Sequence, residues 1–333
     1  MTPVSRSALL ATLAVLVAMG AALVGLMVGA RPITFEAAAT ALLHPNHGVD
    51  GVIVWTLRLP RSLAAFVAGA GLATSGFLLQ SITRNPLAAP ELTGVTAGAV
   101  VAIVGAIVFA PSVSTALFAP IGLLGGLAAA AAVFWISGGR RASPLTVALA
   151  GVSVSMFLAG VTTYVLLLGG PQSPSVLFWL SGGFQGRSWG QLAFMTPWIA
   201  VAIAAAFACH RVVDLLALGD GAAAGMGLNT AFWKSALLLA AVAAVAGVAP
   251  IAGPIGFVGL AAPHVVRLTG PPDARWAVAL NVALGGMLLT VADLLARSLA
   301  APRELPVGVL TAIVGGPFLV WLVRRRGFGG TAA

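Results

Sequence analysis

Residues 8–30 read ALLATLAVLVAMGAALVGLMVGA, with no charged residue, side-chain amide or proline among them. A helix rises about 1.5 Å per residue, so such a run covers about 34 Å. That is enough to cross a hydrocarbon core of about 30 Å. Lipid offers no hydrogen bonds, so each backbone N–H and C=O must be paired within its own segment, and a long apolar run is therefore a helix. Apolar runs of this kind recur along the chain. Strands of about ten residues with alternating polarity, the pattern of a membrane barrel, do not occur.

The composition agrees. Of 333 residues, 60% are hydrophobic and 8% charged, and the mean hydropathy is +1.06. A soluble domain is about 25% charged, so lipid must cover most of this surface. The 41 glycines and many alanines fit close helix packing, which replaces the hydrophobic drive inside a bilayer. The fold class expected is all-α: a polytopic integral membrane protein of about ten transmembrane helices, in one domain over residues 1–333.

The net charge of +9 does not point to nucleic acid, because Arg140-Arg141 and Arg324-Arg325-Arg326 follow apolar segments, where topology places basic residues. The lone Cys209 excludes an internal disulfide and a cysteine metal cluster. Residues 8–30 are longer than a usual signal h-region and lack a convincing cleavage site, so they are read as a retained first helix.

Spans are expected at about 8–30, 60–82, 92–110, 119–137, 144–168, 190–209, 231–249, 255–268, 275–298 and 306–323. The eighth is too short to cross upright. Thr34 to Leu43 reads as a short amphipathic piece. Val176 to Gly183, after the breaker Gly169-Gly170-Pro171-Gln172-Ser173-Pro174, reads as a short re-entrant helix. Ten crossings put both termini on one side. Arg6, Arg84, Arg140, Arg141, Arg211, Lys234, Arg267, Arg275 and the terminal triplet then share that side, eleven basic residues against six, which makes it cytoplasmic.

The six on the far side need a reason. Arg58-Leu59-Pro60-Arg61 stands where the second span begins. Asp293 and Arg297 are four apart on one face of the ninth, and Arg303-Glu304 precede the tenth. They read either as snorkelling side chains with local ion pairs or as a basic collar near the membrane rim that docks an acidic protein or attracts an anionic solute. On the cytoplasmic side, residues 211–229 form a long, half-apolar loop with short helices in it, carrying Leu215, Leu216, Leu218 and Met226 and suited to another protein's groove. Thr83-Arg84-Asn85-Pro86-Leu87-Ala88-Ala89-Pro90 reads as a defined turn.

No catalytic constellation stands out. His44, His47 and Asp50 hint weakly at a metal, but Pro45 and Gly48 make that stretch a turn, and solvated loop residues are the favoured reading. His264 reads as a packing histidine. A phosphate-binding loop is absent. Asp293 is the only acidic residue clearly inside an expected span, which suggests energy supplied from outside the chain rather than an ion relay.

Arg58-Leu59-Pro60-Arg61, Gly69-Ala70-Gly71-Leu72-Ala73-Thr74-Ser75-Gly76 with Gln80, Thr83-Arg84-Asn85-Pro86-Leu87-Ala88 and Gly94-Val95-Thr96-Ala97-Gly98-Ala99 follow one another in the first half. In the second half stand Trp179-Leu180-Ser181-Gly182, Ala217-Leu218-Gly219-Asp220, Gly256-Phe257-Val258-Gly259-Leu260-Ala261-Ala262-Pro263-His264, Asp293 with Ala296-Arg297, and Glu304-Leu305-Pro306-Val307-Gly308. In this order, over about residues 30–323, they resemble the permease subunits of binding-protein-dependent ABC importers for iron-siderophores, haem and vitamin B12.

The resemblance implies a ten-helix permease in the bacterial cytoplasmic membrane, both termini cytoplasmic, paired with a second permease copy or paralogue. It also implies two separate ATPase subunits, which carry the ATP and Mg, and a soluble substrate-binding protein. This chain itself would bind no cofactor or metal and catalyse nothing. Docking of the binding protein is expected at Arg58, Arg61 and Arg297. Coupling to the ATPase is expected over the 211–229 loop at Asp214, Leu218, Gly219, Asp220 and Gly225, and a cytoplasmic gate at Ser143, Pro144 and Leu145. A ferric siderophore is the expected cargo, with haem or vitamin B12 as the alternative within the family. An ion-coupled secondary transporter would need an internal ion site that the sequence hardly offers, and a membrane enzyme would need clustered reactive groups.

Overall fold

The first helix begins where the backbone can be capped: the Thr2 side chain accepts the Ser5 N–H at 3.2 Å and Pro3 fills the first turn. Proline there forfeits no hydrogen bond, because the first N–H groups of a helix have no partner within it. The same logic sets other starts. Ser188 and Gln191 form a reciprocal capping box, Asn229 accepts the Phe232 N–H at 3.1 Å, and Asp273 accepts the Trp276 N–H at 2.9 Å.

The structure is a computed structural model and describes residues 2–29, 31–45, 48–139, 144–170, 173–300 and 303–326. Its helices are α1 (Pro3–Met27), α2 (Phe35–Leu43), α3 (Gly48–Val52), α4 (Leu59–Thr83), α5 (Val95–Phe109), α6 (Phe118–Ile136), α7 (Pro144–Leu168), α8 (Ser173–Leu180), α9 (Trp189–Ala208), α10 (His210–Ala217), α11 (Asp220–Gly225), α12 (Thr230–Ala252), α13 (Val258–Thr269), α14 (Ala274–Ser298) and α15 (Val307–Arg326). No strand occurs among the described residues. The chain is an all-α, multi-pass membrane protein. Among the described residues seven helical stretches are long and apolar enough to cross a bilayer, and Val95–Phe109 and Val307–Phe318 are apolar but shorter.

Most expected boundaries hold to a few residues, with two informative differences. The second span does not start at Pro60: a π-helical turn, Ile53–Arg58, joins α3 to α4, so one helical stretch runs from Gly48 to Thr83. Pro60 sits in it without a break because it lies in the first turn of α4. The third span starts later than expected, at Val95, because Gly94 takes a left-handed φ of 79° and the backbone before it is irregular. The short helices expected within 211–229 are α10 and α11, joined at Gly219.

Burial sorts the bundle into centre and periphery. About 78% of the α4 span is buried against 17% of the α7 span, with α12 and α14 nearer α4. The core therefore lies between α4, α12, α14 and α9, around Leu72, Val242, Val245, Leu289, Ile199 and Met195. The most extensive helix pair is α4 with α14. It closes on glycine: a methyl group at Gly69 would overlap the Gly285 carbonyl, and one at Gly285 would overlap Ala73. Lipid gives no hydrophobic drive between helices, so such backbone approach is what binds the pair. α4 meets α13 in the same way, at Gly76 and Gly259.

Replacing Gly285 by leucine should therefore separate α4 from α14 and lower the melting temperature of the detergent-purified protein by several degrees. Overpacking of this kind costs on the order of 1–3 kcal/mol or more. Gly160→Leu, at an exposed site with open space around it, should melt like the wild type. Equal melting of both variants would show that the close approach does not matter.

Candidate functional site

Two groups of polar residues interrupt the apolar bundle, one at each end of α4 and α14. At one end stands Asp293, on the last turns of α14 and fully buried. Its Oδ1 accepts from Arg61 Nε at 3.0 Å and Nη2 at 2.9 Å, and its Oδ2 accepts from Arg297 Nη2. Arg61 Nη1 also reaches Glu304 Oε2 at 2.7 Å, in the segment between α14 and α15. Arg297 donates further to the Gly25 carbonyl at 3.0 Å and to Ser62 Oγ at 3.2 Å. Two guanidiniums thus face two carboxylates and tie α1, α4, α14 and the start of α15 together. A buried ion pair repays its desolvation only when further hydrogen bonds support it, and among the described residues all but Arg297 Nε of the two guanidiniums' buried donors find acceptors.

Arg58 is held differently. Its Nη1 donates to the Leu26 carbonyl at 2.6 Å and its Nη2 to the Arg31 carbonyl, while Arg31 itself pairs with Asp50 at 3.2 Å.

Of the two readings of these arginines, local ion pairs are present. Arg58, Arg61 and Arg297 do lie together at one end of the bundle, but they are only 7%, 6% and 3% exposed. The physical reason is Asp293: a carboxylate inside the bundle draws the guanidiniums inward, and carbonyls freed at the end of α1 take Arg58. The cations that do reach the surface at this end are Arg31 and Arg303, with Arg187 half-buried between α8 and α9. Burial and the nearby charge of Arg61 hold the Arg187 guanidinium below its usual pKa.

At the other end, α10 and α11 lie across the helix ends. Asp214 on α10 accepts the Ala274 N–H at 2.9 Å, one of the free donors at the start of α14. Asp220, at the start of α11, meets Lys234 Nζ on α12 at 2.6 Å and Arg84, the C-terminal cap of α4, at 3.9 Å. Gly219 between them has φ 104°, which leaves the joint to glycine. Val213 and Leu216 are buried under α10, whereas Leu218 and Met226 are 64% and 53% exposed. Four of the five expected coupling residues, Asp214, Leu218, Gly219 and Asp220, thus lie on one surface with α11, which ends at Gly225. Such an apolar exposure beside charged groups suits a protein partner.

The expected gate is only partly described. Ser143 lies outside the described residues, Pro144 begins α7, and Leu145 is exposed. Among the described residues no group of three His, Cys, Asp or Glu could hold a metal. Asp50 serves Arg31 instead, and His47 lies outside the described residues.

Sequence reasoning missed one residue. Glu91 lies one residue before the span expected at about 92–110, yet its Oε1 accepts the Phe257 N–H at 2.7 Å, at the break between α12 and α13. Only the prolines at 86 and 90 signalled an unusual turn there; its depth left no mark on the hydropathy.

The FecCD transport family model matches residues 14–325. The Fe(3+) dicitrate transport system permease protein FecD of Escherichia coli is 37% identical over 311 residues, 92% of this chain and 95% of that protein. The Fe(3+)-citrate import system permease protein YfmD of Bacillus subtilis is 34% identical, covering 90% of each. The cobalamin import system permease protein BtuC of Halobacterium salinarum is 36% identical over 83% of this chain and 74% of that one. Among solved structures, an inward-facing metal-chelate type ABC transporter superposes with a TM-score of 0.80 at 27% identity, covering 96% of this chain and 99% of that one.

Replacing Asp293 by alanine would leave Arg61 and Arg297 buried and facing each other. Breaking a buried pair costs about 3–5 kcal/mol, so Asp293→Ala should sharply lower the yield and melting temperature of folded protein, and Asp293→Glu should recover part of both. Wild-type melting of the alanine variant would show the cluster to be dispensable.

Proposed function

The chain belongs to the FecCD transport family and is a permease of the metal-chelate ABC importer type; from that premise we propose that it carries a ferric siderophore across the bacterial cytoplasmic membrane, driven by ATP hydrolysed on separate subunits. The observation that carries this reading is end-to-end likeness to iron-citrate permeases of two organisms. Haem or vitamin B12 is the second reading, favoured by the likeness to a cobalamin permease.

In this reading two permease subunits, identical or paralogous, form the path between them. Two ATPase subunits supply ATP and Mg chemistry, a soluble binding protein delivers the chelate, and both termini face the cytoplasm. The surface of α10 and α11, with Leu218 and Met226 outward, sits in the ATPase. When the ATPase closes, the push reaches α14 through Asp214, and α4 and α12 through Asp220. The helices then tilt as rigid bodies and alternate access between the two sides. In this reading the cytoplasmic gate is at Ser143, Pro144 and Leu145.

Docking at the opposite end takes a modified form. Arg58, Arg61 and Arg297 form the frame beneath the docking face and contribute their charge to its field. Arg303 and Arg187 are the cations that meet acidic side chains of the binding protein. Charge reversal at Arg61 should therefore disrupt folding before it reports on docking, whereas Arg303→Glu with Arg187→Glu should weaken docking in a pull-down at low salt without changing the melting temperature. Undiminished docking would remove these two from the interface.

The deciding experiment is reconstitution in vesicles with its cognate ATPase and binding protein. ATP-dependent uptake of iron-55 citrate is expected, and uptake of labelled cobalamin alone would replace the iron reading. In the same vesicles Gly219→Val with Asp220→Ala should leave ATP hydrolysis running while uptake falls about tenfold or more, a loss of about 1.4 kcal/mol of coupling. Uptake in proportion to hydrolysis would rule the loop out as the transmission element.

A further inference from the structure

Glu91 carries an inference of its own, resting on the transport reading above. It belongs to the irregular stretch between α4 and α5, and two neighbours fix its depth. The Glu91 carbonyl accepts from Ser155 Oγ at 3.1 Å, and Ser155 stands eleven residues into α7 from Pro144. At about 1.5 Å per residue that is about 16 Å below the end of α7, the middle of a hydrocarbon core about 30 Å thick. α4 gives the same level: a side chain at Gly259 would touch both Pro90 and the carbonyl of Leu72, midway along α4. Glu91 is thus a carboxylate at mid-membrane.

Its surroundings are unlike those of Asp293. No Lys, Arg or His lies within ion-pair distance among the described residues. Its Oε1 takes the backbone N–H of Phe257, a residue held at φ 77° whose ring packs on Gly315 and edge-to-face on Phe318 of α15 at 5.4 Å. Glu91 is half-buried. Two non-helical stretches, 84–94 and 253–257, meet there. Backbone without helical pairing is tolerated at this depth only inside protein or along a water-filled cavity, and an unpaired carboxylate cannot face lipid.

We propose that Glu91 stands in the wall of the translocation path at mid-membrane, where its carboxylate accepts hydroxyl, amide or ammonium donors from the passing chelate. Its hydrogen bond to Phe257 holds the α12–α13 break, and through the Phe257 ring α15, around that point.

The test uses the permease assembled with its ATPase subunits in vesicles, with Cys209 replaced by serine. Glu91→Cys should react with a water-soluble methanethiosulfonate at least about tenfold faster than Phe157→Cys, which lies on the exposed surface of α7. Thr93→Cys, also half-buried on the same stretch, serves if Glu91→Cys fails to assemble. It should react about tenfold faster with the trimethylammonium reagent than with the sulfonate one, because the carboxylate concentrates cations beside it. Adding Glu91→Gln should erase that preference. Labelling no faster than at Phe157, or a preference that survives Glu91→Gln, overturns the proposal. Neither rate depends on the cargo, so failed iron uptake beside fast labelling would sink the iron reading and leave this one standing.

Discussion

A carboxylate that water cannot reach must find its counter-charge inside the protein, and in this chain Asp293 determines what happens around it. Buried near the end of α14, it holds Arg61 on α4 and Arg297 on its own helix. Those two arginines then fix Glu304 and the end of α1. Charges that composition would assign to a surface are instead spent on internal order, and they fasten four helical segments at one end. The glycine contact of α4 with α14 extends that fastening along the bundle. The pair is consequently one stiff body, with the ion cluster at one end and the contacts of α10 and α11 at the other.

This stiffness gives meaning to the sparse polar contacts at the second end. A half-exposed bridge such as Arg84 with Asp220 contributes little stability. Its effect is directional, because it joins a peripheral helix to a rigid one. The bond from Ala274 to Asp214 does the same for α14. Few contacts are enough when what they pull on does not bend.

Much of this was legible in the sequence. The run at 8–30 and the abundance of glycine and alanine predict helices and close packing that the structure contains, because each is a local statement about hydrogen bonding or side-chain size. The α10–α11 region was legible as an interruption in hydropathy with short helices in it, although their ends were not, since they are too short for their period to show. The arginines mark the limit. Their positions in the chain suggested a rim, but the direction in which an arginine points depends on where the nearest carboxylate lies. Asp293 and Arg61 are 232 residues apart, and no local pattern reports such a pairing. Glu91 escaped for a related reason: its depth is set by what α7 and α13 do on either side of it.

Gly219 deserves a last consideration in mechanical terms. On one side of it α10 is tethered to α14, and on the other α11 is tethered to α4 and α12. The joint between them is a single glycine at a backbone angle that few other residues adopt. A displacement applied at this joint would divide between two load paths, as in a differential, in a ratio set by how far the joint yields. Stiffening that one residue would alter the gearing of the bundle without removing a single contact from it.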